Sequence, residues 1–313
     1  MAYELSDRLV IGLASSALFD LSESDKIFRE QGEEAYRKFQ SANENHPFDQ
    51  GVAFPFIKRL LSVNEISPDD PPVEVVLLSR NDPHTGMRVM KSIQYYGLGI
   101  TRAVFLQGKT PYRYIPALSV NLFLSANEAD VNQAIIAGYP AGRVLDSSHA
   151  DIVDDHELRV AFDFDGVIID DEAEIIFQQT KDLRKFHANE TQKAATPHNP
   201  GPLKIFFEKL SMLQKKEKDK AKTDPAYKPK IRISIVTARN APSHERVINT
   251  IQSWGITVDE AFFLGGIEKK RVLEVLAPHI FFDDQELHLE QAAKVLPSVH
   301  IPFGIANKKQ QSK

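Results

Sequence analysis

The chain has no cysteine, which removes disulfide frameworks, thiolate metal sites and catalytic thiols from consideration. That composition suits a reducing compartment, and a cytoplasmic protein is expected. Excess positive charge is missing too. Lys and Arg number 38 against 43 Asp and Glu, giving a net charge of −5 and a pI near 6.1. No nucleic-acid partner is expected, because neutralising a phosphate backbone takes a basic surface. Long apolar runs are also absent. Nothing approaches the roughly 20 residues a membrane helix needs, so no membrane association is expected. The mildly apolar Val10–Phe19 follows Glu4 and Asp7, where a secretory signal would carry positive charge, and it reads better as a buried strand. What is present is 313 residues, 42% of them apolar, enough for a substantial core and about two domains.

The chain reads twice. Glu74–Pro83 resembles Ile233–Pro242, which sets Arg80-Asn81 against Arg239-Asn240 at an offset of 159. Ser92–Gly97 then resembles Thr250–Gly255. Phe105–Gly108 resembles Phe263–Gly266, and Asn121–Leu124 resembles His279–Phe282, both at an offset of 158. Upstream, Gly51–Asn64 resembles Gly201–Gln214, and Val10–Asp20 resembles Val160–Asp170 at an offset of 150. Near-constant offsets over so many segments indicate a tandem duplication. Each copy has a short apolar strand (Leu9–Leu13; Arg159–Phe162), a helix-rich insert and a β-branched strand (Val73–Leu78; Ile231–Val236). A helix, a third strand (Arg102–Leu106; Glu260–Leu264), another helix and a fourth strand (Leu122–Leu124; Ile280–Phe282) follow. Continuous apolar strands alternating with helices predict an α/β fold: two tandem, Rossmann-like, doubly wound parallel-sheet units. Ligands are then expected beyond the carboxyl ends of the strands. The boundary is placed at 148/149, within a linker-like stretch from Leu145 to Glu157. The second copy carries a polar, helical insert over about 171–230 whose lysine-rich end mixes in Glu217, Asp219 and Asp224, as a solvated face does.

Four features of the second copy sit at strand ends. Asp163-Phe164-Asp165-Gly166 follows the first strand and sets two carboxylates at i and i+2 on a glycine-permitted turn. Phosphoryl transfer needs an in-line nucleophile, neutralised equatorial oxygens and a proton for the leaving alkoxide. Thr237-Ala238-Arg239-Asn240 ends the second strand, where a hydroxyl and backbone N–H groups can cradle a phosphate oxygen. A helix cap is the plainer use of Thr237. A lysine follows Gly265-Gly266, either Lys269 or Lys270, and a fixed ammonium there can balance shifting negative charge. Phe281-Phe282-Asp283-Asp284 places paired acids at the last strand's end, a costly arrangement without a cation and a suitable one for hard Mg²⁺.

In order and placement these residues resemble the four motifs of the haloacid-dehalogenase superfamily. That resemblance implies haloacid-dehalogenase-like units with cap inserts, Asp163 as nucleophile, Asp165 as general acid/base, and Thr237 and a lysine as phosphate ligands. It also implies Mg²⁺ held by Asp163, the backbone carbonyl of Asp165 and Asp284, with Asp283 beside them. A narrower resemblance covers nearly the whole chain. Pro200–Lys204, the Thr237–Asn240 word and Ala277–Gln285 are similar to the cytosolic 5′-nucleotidase type I family. It selects Lys269 over Lys270 and implies a nucleoside 5′-monophosphate as substrate. The departure is in the first motif, where Phe164 and Gly166 stand in place of that family's Gly and Ala.

At these offsets Asp163 falls on Leu13, Asp165 on Ser15, Lys269 near Pro111, Asp283 on Ser125 and Asp284 on Ala126. The first copy is therefore expected to be catalytically silent, with Ser15, Ser16, Arg80 and Asn81 shaping turns rather than binding a nucleotide. In the second copy the insert is expected to act as a lid. Glu172, His187, Asn199, Lys204 and Asn240 are its candidate substrate contacts. Phe186, Phe206 and Phe207 are expected in the core, and His187 and His198 at the surface. A homo-oligomer is compatible with the sequence and not decided by it. The rival readings are a phosphatase of another small phosphomonoester, such as a sugar phosphate, and a non-catalytic nucleotide-binding protein.

Overall fold

The computed structural model describes residues 3–147 and 155–307. It divides into two compact units, Met1–Val144 and Leu145–Lys313. The boundary expected at 148/149, with Ser148, His149 and Asp154 of the linker, lies outside the described residues.

The first unit runs β1 (Leu9–Leu13), α1 (Ser15–Leu18), α2 (Ser22–Ala42), α3 (Phe54–Ser62), β2 (Val73–Ser79), α4 (Gly86–Tyr95), β3 (Arg102–Phe105), β4 (Leu122–Ser125), α5 (Glu128–Ile136) and β5 (Ala141–Val144). Its strands pair in parallel in the order β3-β2-β1-β4-β5. Every residue of β1 and β2 is buried, as strands covered on both faces require. The stretch Val10–Phe19 thus begins as the central strand and continues into α1.

The second unit runs β6 (Leu158–Phe162), α6 (Glu172–Thr180), α7 (Leu183–Gln192), α8 (Lys204–Thr223), β7 (Ile231–Thr237), α9 (His244–Ser253), β8 (Glu260–Phe263), α10 (Lys269–Leu276), β9 (Ile280–Asp283), α11 (Glu286–Ala292) and β10 (Ser298–His300). Its parallel order is β8-β7-β6-β9-β10, the order of the first unit. Each unit has a fifth strand that the sequence did not show. Ala141–Val144 contains Gly142 and Arg143, and Ser298–His300 is only three residues long, so neither presents an apolar run.

The likeness of the units extends to single hydrogen bonds. Arg88 Nε donates to the His46 carbonyl and Arg246 Nε to the Thr196 carbonyl, both at 2.9 Å. The Phe48 N–H donates to Ser92 Oγ at 3.0 Å, and the His198 N–H to Thr250 Oγ1 at 3.1 Å. The helix after the first strand breaks at the same place in both. Gly32, at φ 81°, kinks α2, and Lys181, at φ 51°, separates α6 from α7.

The insert is only partly a lid in position. Phe206 and Phe207 of α8 are fully buried against Phe162, with ring centroids 5.8 and 5.1 Å away, so this helix is a layer of the core. The end of α8 is anchored as well. Glu217, fully buried, accepts from the N–H groups of Lys230 and Ile231 and from the Tyr227 hydroxyl. Helices α6 and α7 and the turn after them bury fewer side chains, Ala173, Glu190 and His198 among them.

Candidate functional site

Strand β6 lies between β7 and β9, so the loops leaving their carboxyl ends meet. Asp163 follows β6, Thr237 ends β7 and Asp283 ends β9. The Asp163 N–H donates to the Phe282 carbonyl at 2.7 Å, fixing the side chain at this junction. Phe164, fully buried and edge-on to His198 with centroids 5.7 Å apart, anchors the turn between the two aspartates.

Lys269, at the start of α10, is 4% exposed and holds two acids, Asp163 Oδ2 at 2.9 Å and Asp283 Oδ2 at 2.7 Å. Lys270 instead turns outward toward Glu274 at 3.7 Å. Asp283 also accepts from the Gln285 N–H at 2.8 Å and faces His288 Nδ1 at 3.2 Å. Two buried carboxylate oxygens, Asp163 Oδ1 and Asp284 Oδ1, have no hydrogen-bond partner. The Asp284 carboxylate lies on Gly166, where a Cβ would come within 2.4 Å of Oδ2, and Gly166 adopts φ +67°.

The charges follow from this geometry. Burial pushes the Asp163 carboxyl up and Lys269 opposes it, leaving it at about 7. Burial, then Asp283 and Asp163, push Asp284 well above the carboxylate range. Burial works to lower Lys269, but Asp163 and Asp283 outweigh it and hold the ammonium above its ordinary range. Orphaned, desolvated carboxylate oxygens are costly, and oxygen donors of this kind suit a hard divalent cation. Asp163, Asp283 and His288 also offer ligand atoms within 4.8 Å of one another. Asp283 is already satisfied by Lys269, Gln285 and His288, so the free capacity lies with Asp163 and Asp284.

Asp165 is gripped by Arg239. Nε donates to Oδ2 and Nη2 to Oδ1, both at 2.7 Å, a bidentate pair. Burial works to raise the Asp165 carboxyl, but Arg239 prevails and holds it below its ordinary range. The remaining edge of Arg239 reaches Glu190 of α7, which is fully buried and also accepts from Arg246 Nη1 at 2.8 Å. His198 joins this group with Nε2 3.1 Å from Arg239 Nη2. Burial, then Arg239 and Arg246, lower its imidazole to about 3. Neutral His198 turns Nδ1 to Thr250 Oγ1 at 3.3 Å, and its Nε2 lies 3.1 Å from Glu190 Oε2 as well as from Arg239.

The other expected residues divide. Thr237, 1% exposed, accepts the Arg239 N–H at 3.2 Å within its own turn, while Ala238 is exposed and Asn240 packs on Gly265. Glu172, partly exposed, is engaged by Lys193 and by Arg246 Nη2 at 3.4 Å, at the edge of the buried polar group. His187 lies on α7 with Nδ1 unpartnered. Asn199 donates to Asp170 at 2.9 Å, and Lys204 pairs with Glu208 at 2.6 Å over the Trp254 ring, so both are engaged elsewhere. His198 is 3% exposed, which corrects its assignment to the surface. Sequence reasoning missed Glu190, Arg246 and His288. Aligning the copies would have paired Arg246 with Arg88 and Glu190 with Gln40, the signal available for the first two.

In the first unit the hydrogen bonds shift two correspondences by one residue. The Ala14 N–H donates to the Leu124 carbonyl at 2.8 Å as Asp163 does to Phe282, so Ala14, not Leu13, stands opposite Asp163. The Asn81 N–H donates to Ser79 Oγ at 3.1 Å as Arg239 does to Thr237, so Asn81, not Arg80, stands opposite Arg239. Matching the shared Arg-Asn word hid this, because strand ends, rather than word identity, set the register. Arg80 pairs with Asp130 at 2.5 Å, and Asn81 accepts from Tyr36 at 3.0 Å. Ser15 and Ser79 face each other at 3.3 Å.

Residues 1–308 match the family described as 5′-nucleotidase. The chain is 38% identical over 293 residues to human (Homo sapiens) cytosolic 5′-nucleotidase 1B, covering 92% of this chain and 47% of that protein. It thus spans about half the length of that relative. Among solved structures, histidinol dehydrogenase from Elizabethkingia anophelis is matched at a TM-score of 0.22 and 8% identity, over 94% of this chain and 52% of that one, too slight a likeness to inform fold or function.

Proposed function

This chain belongs to the 5′-nucleotidase family, and from that premise we propose that its second unit hydrolyses nucleoside 5′-monophosphates to nucleoside and phosphate through a phosphorylated Asp163. The observation that carries the reading is Asp163 itself, which is buried with one oxygen on Lys269 and the other unpartnered at a strand end.

The unpartnered oxygens of Asp163 and Asp284 fit a divalent cation, and these two carboxylates with the Asp165 carbonyl would hold Mg²⁺. Such an ion would supply charge withdrawal from the phosphoryl oxygens. An oxygen of Asp163 attacks phosphorus as the bond to the 5′ oxygen breaks, and Asp165, which Arg239 holds ionised in the free site, has first to take up a proton before it gives that proton to the departing alkoxide. Asp165 then takes a proton from water, whose oxygen attacks the same phosphorus. Inorganic phosphate leaves and the Asp163 carboxylate is restored. Lys269 offsets negative charge on Asp163 throughout. Thr237 and the neighbouring backbone N–H groups receive the phosphoryl oxygens. Both units are read as haloacid-dehalogenase-like. The first is catalytically silent, because Ala14 offers no nucleophile and Ser125 and Ala126 replace Asp283 and Asp284. A cytosolic place of action is proposed on the name of the human relative.

A phosphate-release screen with Mg²⁺ over nucleoside monophosphates and sugar phosphates tests this. A nucleotide-selective profile is expected, with turnover abolished in Asp163→Asn and beryllium fluoride retained on wild-type protein. Selectivity for sugar phosphates, binding without turnover, or full activity in Asp163→Asn would each overturn it.

A further inference from the structure

We infer that Glu190 is a positioning residue of the second unit, holding Arg239 so that Arg239 presents Asp165 in a fixed orientation. The inference rests on the nucleotidase reading of that unit and goes beyond it, since Glu190 belongs to none of the four motifs.

Glu190 sits on α7 with no exposed surface, and its two oxygens are divided between two guanidinium groups. Oε1 accepts from Arg246 Nη1 and Oε2 from Arg239 Nη1. The other donors of Arg239 are spent on Asp165, through Nε and Nη2, and on His198. Every polar edge of the guanidinium is therefore taken, and Glu190 holds the Nη1 edge that Asp165 and His198 leave free. A fork held at both ends fixes direction as well as distance.

The first unit supplies the control. Arg88 there repeats Arg246, and Gln40 stands where Glu190 does, its Oε1 accepting from Arg88 Nη1 at 3.3 Å. Gln40 Nε2 donates to Ser24 Oγ at 2.9 Å. Asn81 replaces Arg239, Phe48 replaces His198, and no carboxylate occupies the place of Asp165. The joint of α7 to α9 therefore needs only an oxygen acceptor at this position, which an amide provides. A second acceptor with full negative charge appears only where Arg239 and Asp165 appear. A purely structural staple does not explain that difference.

Glu190→Gln separates the two roles. With the amide oxygen on Arg246, as in the first unit, the amide NH₂ faces Arg239 Nη1, donor against donor, and Arg239 must withdraw. The variant is expected to melt cooperatively with native circular dichroism. Its kcat is expected to fall by about 10- to 100-fold with KM within about 3-fold, the scale of misplacing a catalytic group by an ångström. In an Arg239→Asn background the same substitution is expected to cost nothing further, and that double variant copies the Gln40 and Asn81 pair of the first unit. Wild-type kcat in Glu190→Gln, or additive losses in the double variant, would overturn the inference. A crystal structure of Glu190→Gln reads it without turnover: an unchanged bidentate Arg239–Asp165 pair refutes it even if the nucleotidase reading has failed on the substrate screen.

Discussion

Gly166→Ala probes the place where the first motif touches the last. Gly166 adopts φ +67°, a region where any L side chain is strained, and a Cβ there would lie 2.4 Å from Asp284 Oδ2 and 2.7 Å from its Cγ. The backbone term is about 1–2 kcal/mol for a non-glycine residue. The steric term cannot be absorbed by a flexible tip, because Asp284 is 4% exposed and the atoms met are the carboxylate itself. The side chain has to rotate, carrying the unpartnered Oδ1 away from Asp163. Gly255→Ala is the matched control, since Gly255 has φ +66° with nothing within 4 Å of a built Cβ.

Gly255→Ala should lose about 1–2 kcal/mol in urea titrations, the backbone cost, and Gly166→Ala at least that much. Only Gly166→Ala should also need more Mg²⁺. Disturbing a ligand's support typically weakens metal affinity about 10- to 100-fold, so half-maximal phosphate release should shift by that factor. An Mg²⁺ dependence of Gly166→Ala that overlays the wild type would refute the argument that Asp284 holds the ion. An equal shift in Gly255→Ala would show that general loosening, not the contact, was being measured.

Two other predictions come from buried charge. Lys269→Met removes the ammonium shared by Asp163 and Asp283, so it should cost about 3–5 kcal/mol in chemical denaturation, as breaking a buried pair does. Phosphate release should fall by at least about 100-fold. Lys270→Met, 3.7 Å from a half-exposed Glu274, should cost under about 1 kcal/mol, and equal effects at the two lysines would contradict the assignment. His198 sets a pH dependence. Its folded value of about 3 lies below the ordinary 6.5, so the unfolded chain takes up the proton first, and stability falls as pH drops below 6.5. The loss should reach about 2 kcal/mol by pH 5. His198→Gln, whose amide oxygen can accept from Arg239 without titrating, should lose that much less between pH 7 and 5. Parallel curves would remove His198 as the source.

The sequence made the strand ends legible because apolar runs such as Ile231–Val236 and Ile280–Phe282 are bounded by abrupt polarity. The residues just past those bounds are the ones that converge. Lys269 was legible only through resemblance, since nothing in the chemistry of two adjacent lysines says which one faces inward. Glu190 was not singled out, and His198 was expected at the surface. They lie in a polar insert, and their burial depends on α7 folding back toward α9, a contact between segments about 50 residues apart that no local period encodes. The insert misled at one residue. Its lysine-rich end reads as a solvated face and its lysines are mostly exposed, yet Glu217 among them is fully buried, accepting from the Lys230 and Ile231 N–H groups, while Phe206 and Phe207 lie in the core as expected.

The charge balance of the second unit connects these observations. Asp163, Asp165, Asp283, Asp284 and Glu190 form one group of acids, all buried except the partly buried Asp165, and the cations set among them are Lys269, Arg239 and Arg246. Five acids against three cations leave an excess of two carboxyls, the number one divalent cation would balance. The deficit is not spread evenly. Asp165, Asp283 and Glu190 have their oxygens engaged by guanidinium or ammonium partners, and the two carboxyls pushed upward, Asp163 and Asp284, are the two with a buried oxygen that no hydrogen bond reaches. The first unit keeps the same strand order and the Arg88 anchor while replacing these acids with Ala14, Ser125, Ala126 and Gln40, so the fold itself does not require them. Buried acids that the fold can do without, and that its own cations do not balance, are held at a cost of several kcal/mol per uncompensated charge. An ion bound between Asp163 and Asp284 would offset that cost, and the second unit should therefore gain stability from Mg²⁺ at concentrations that leave a Gly166→Ala variant unchanged.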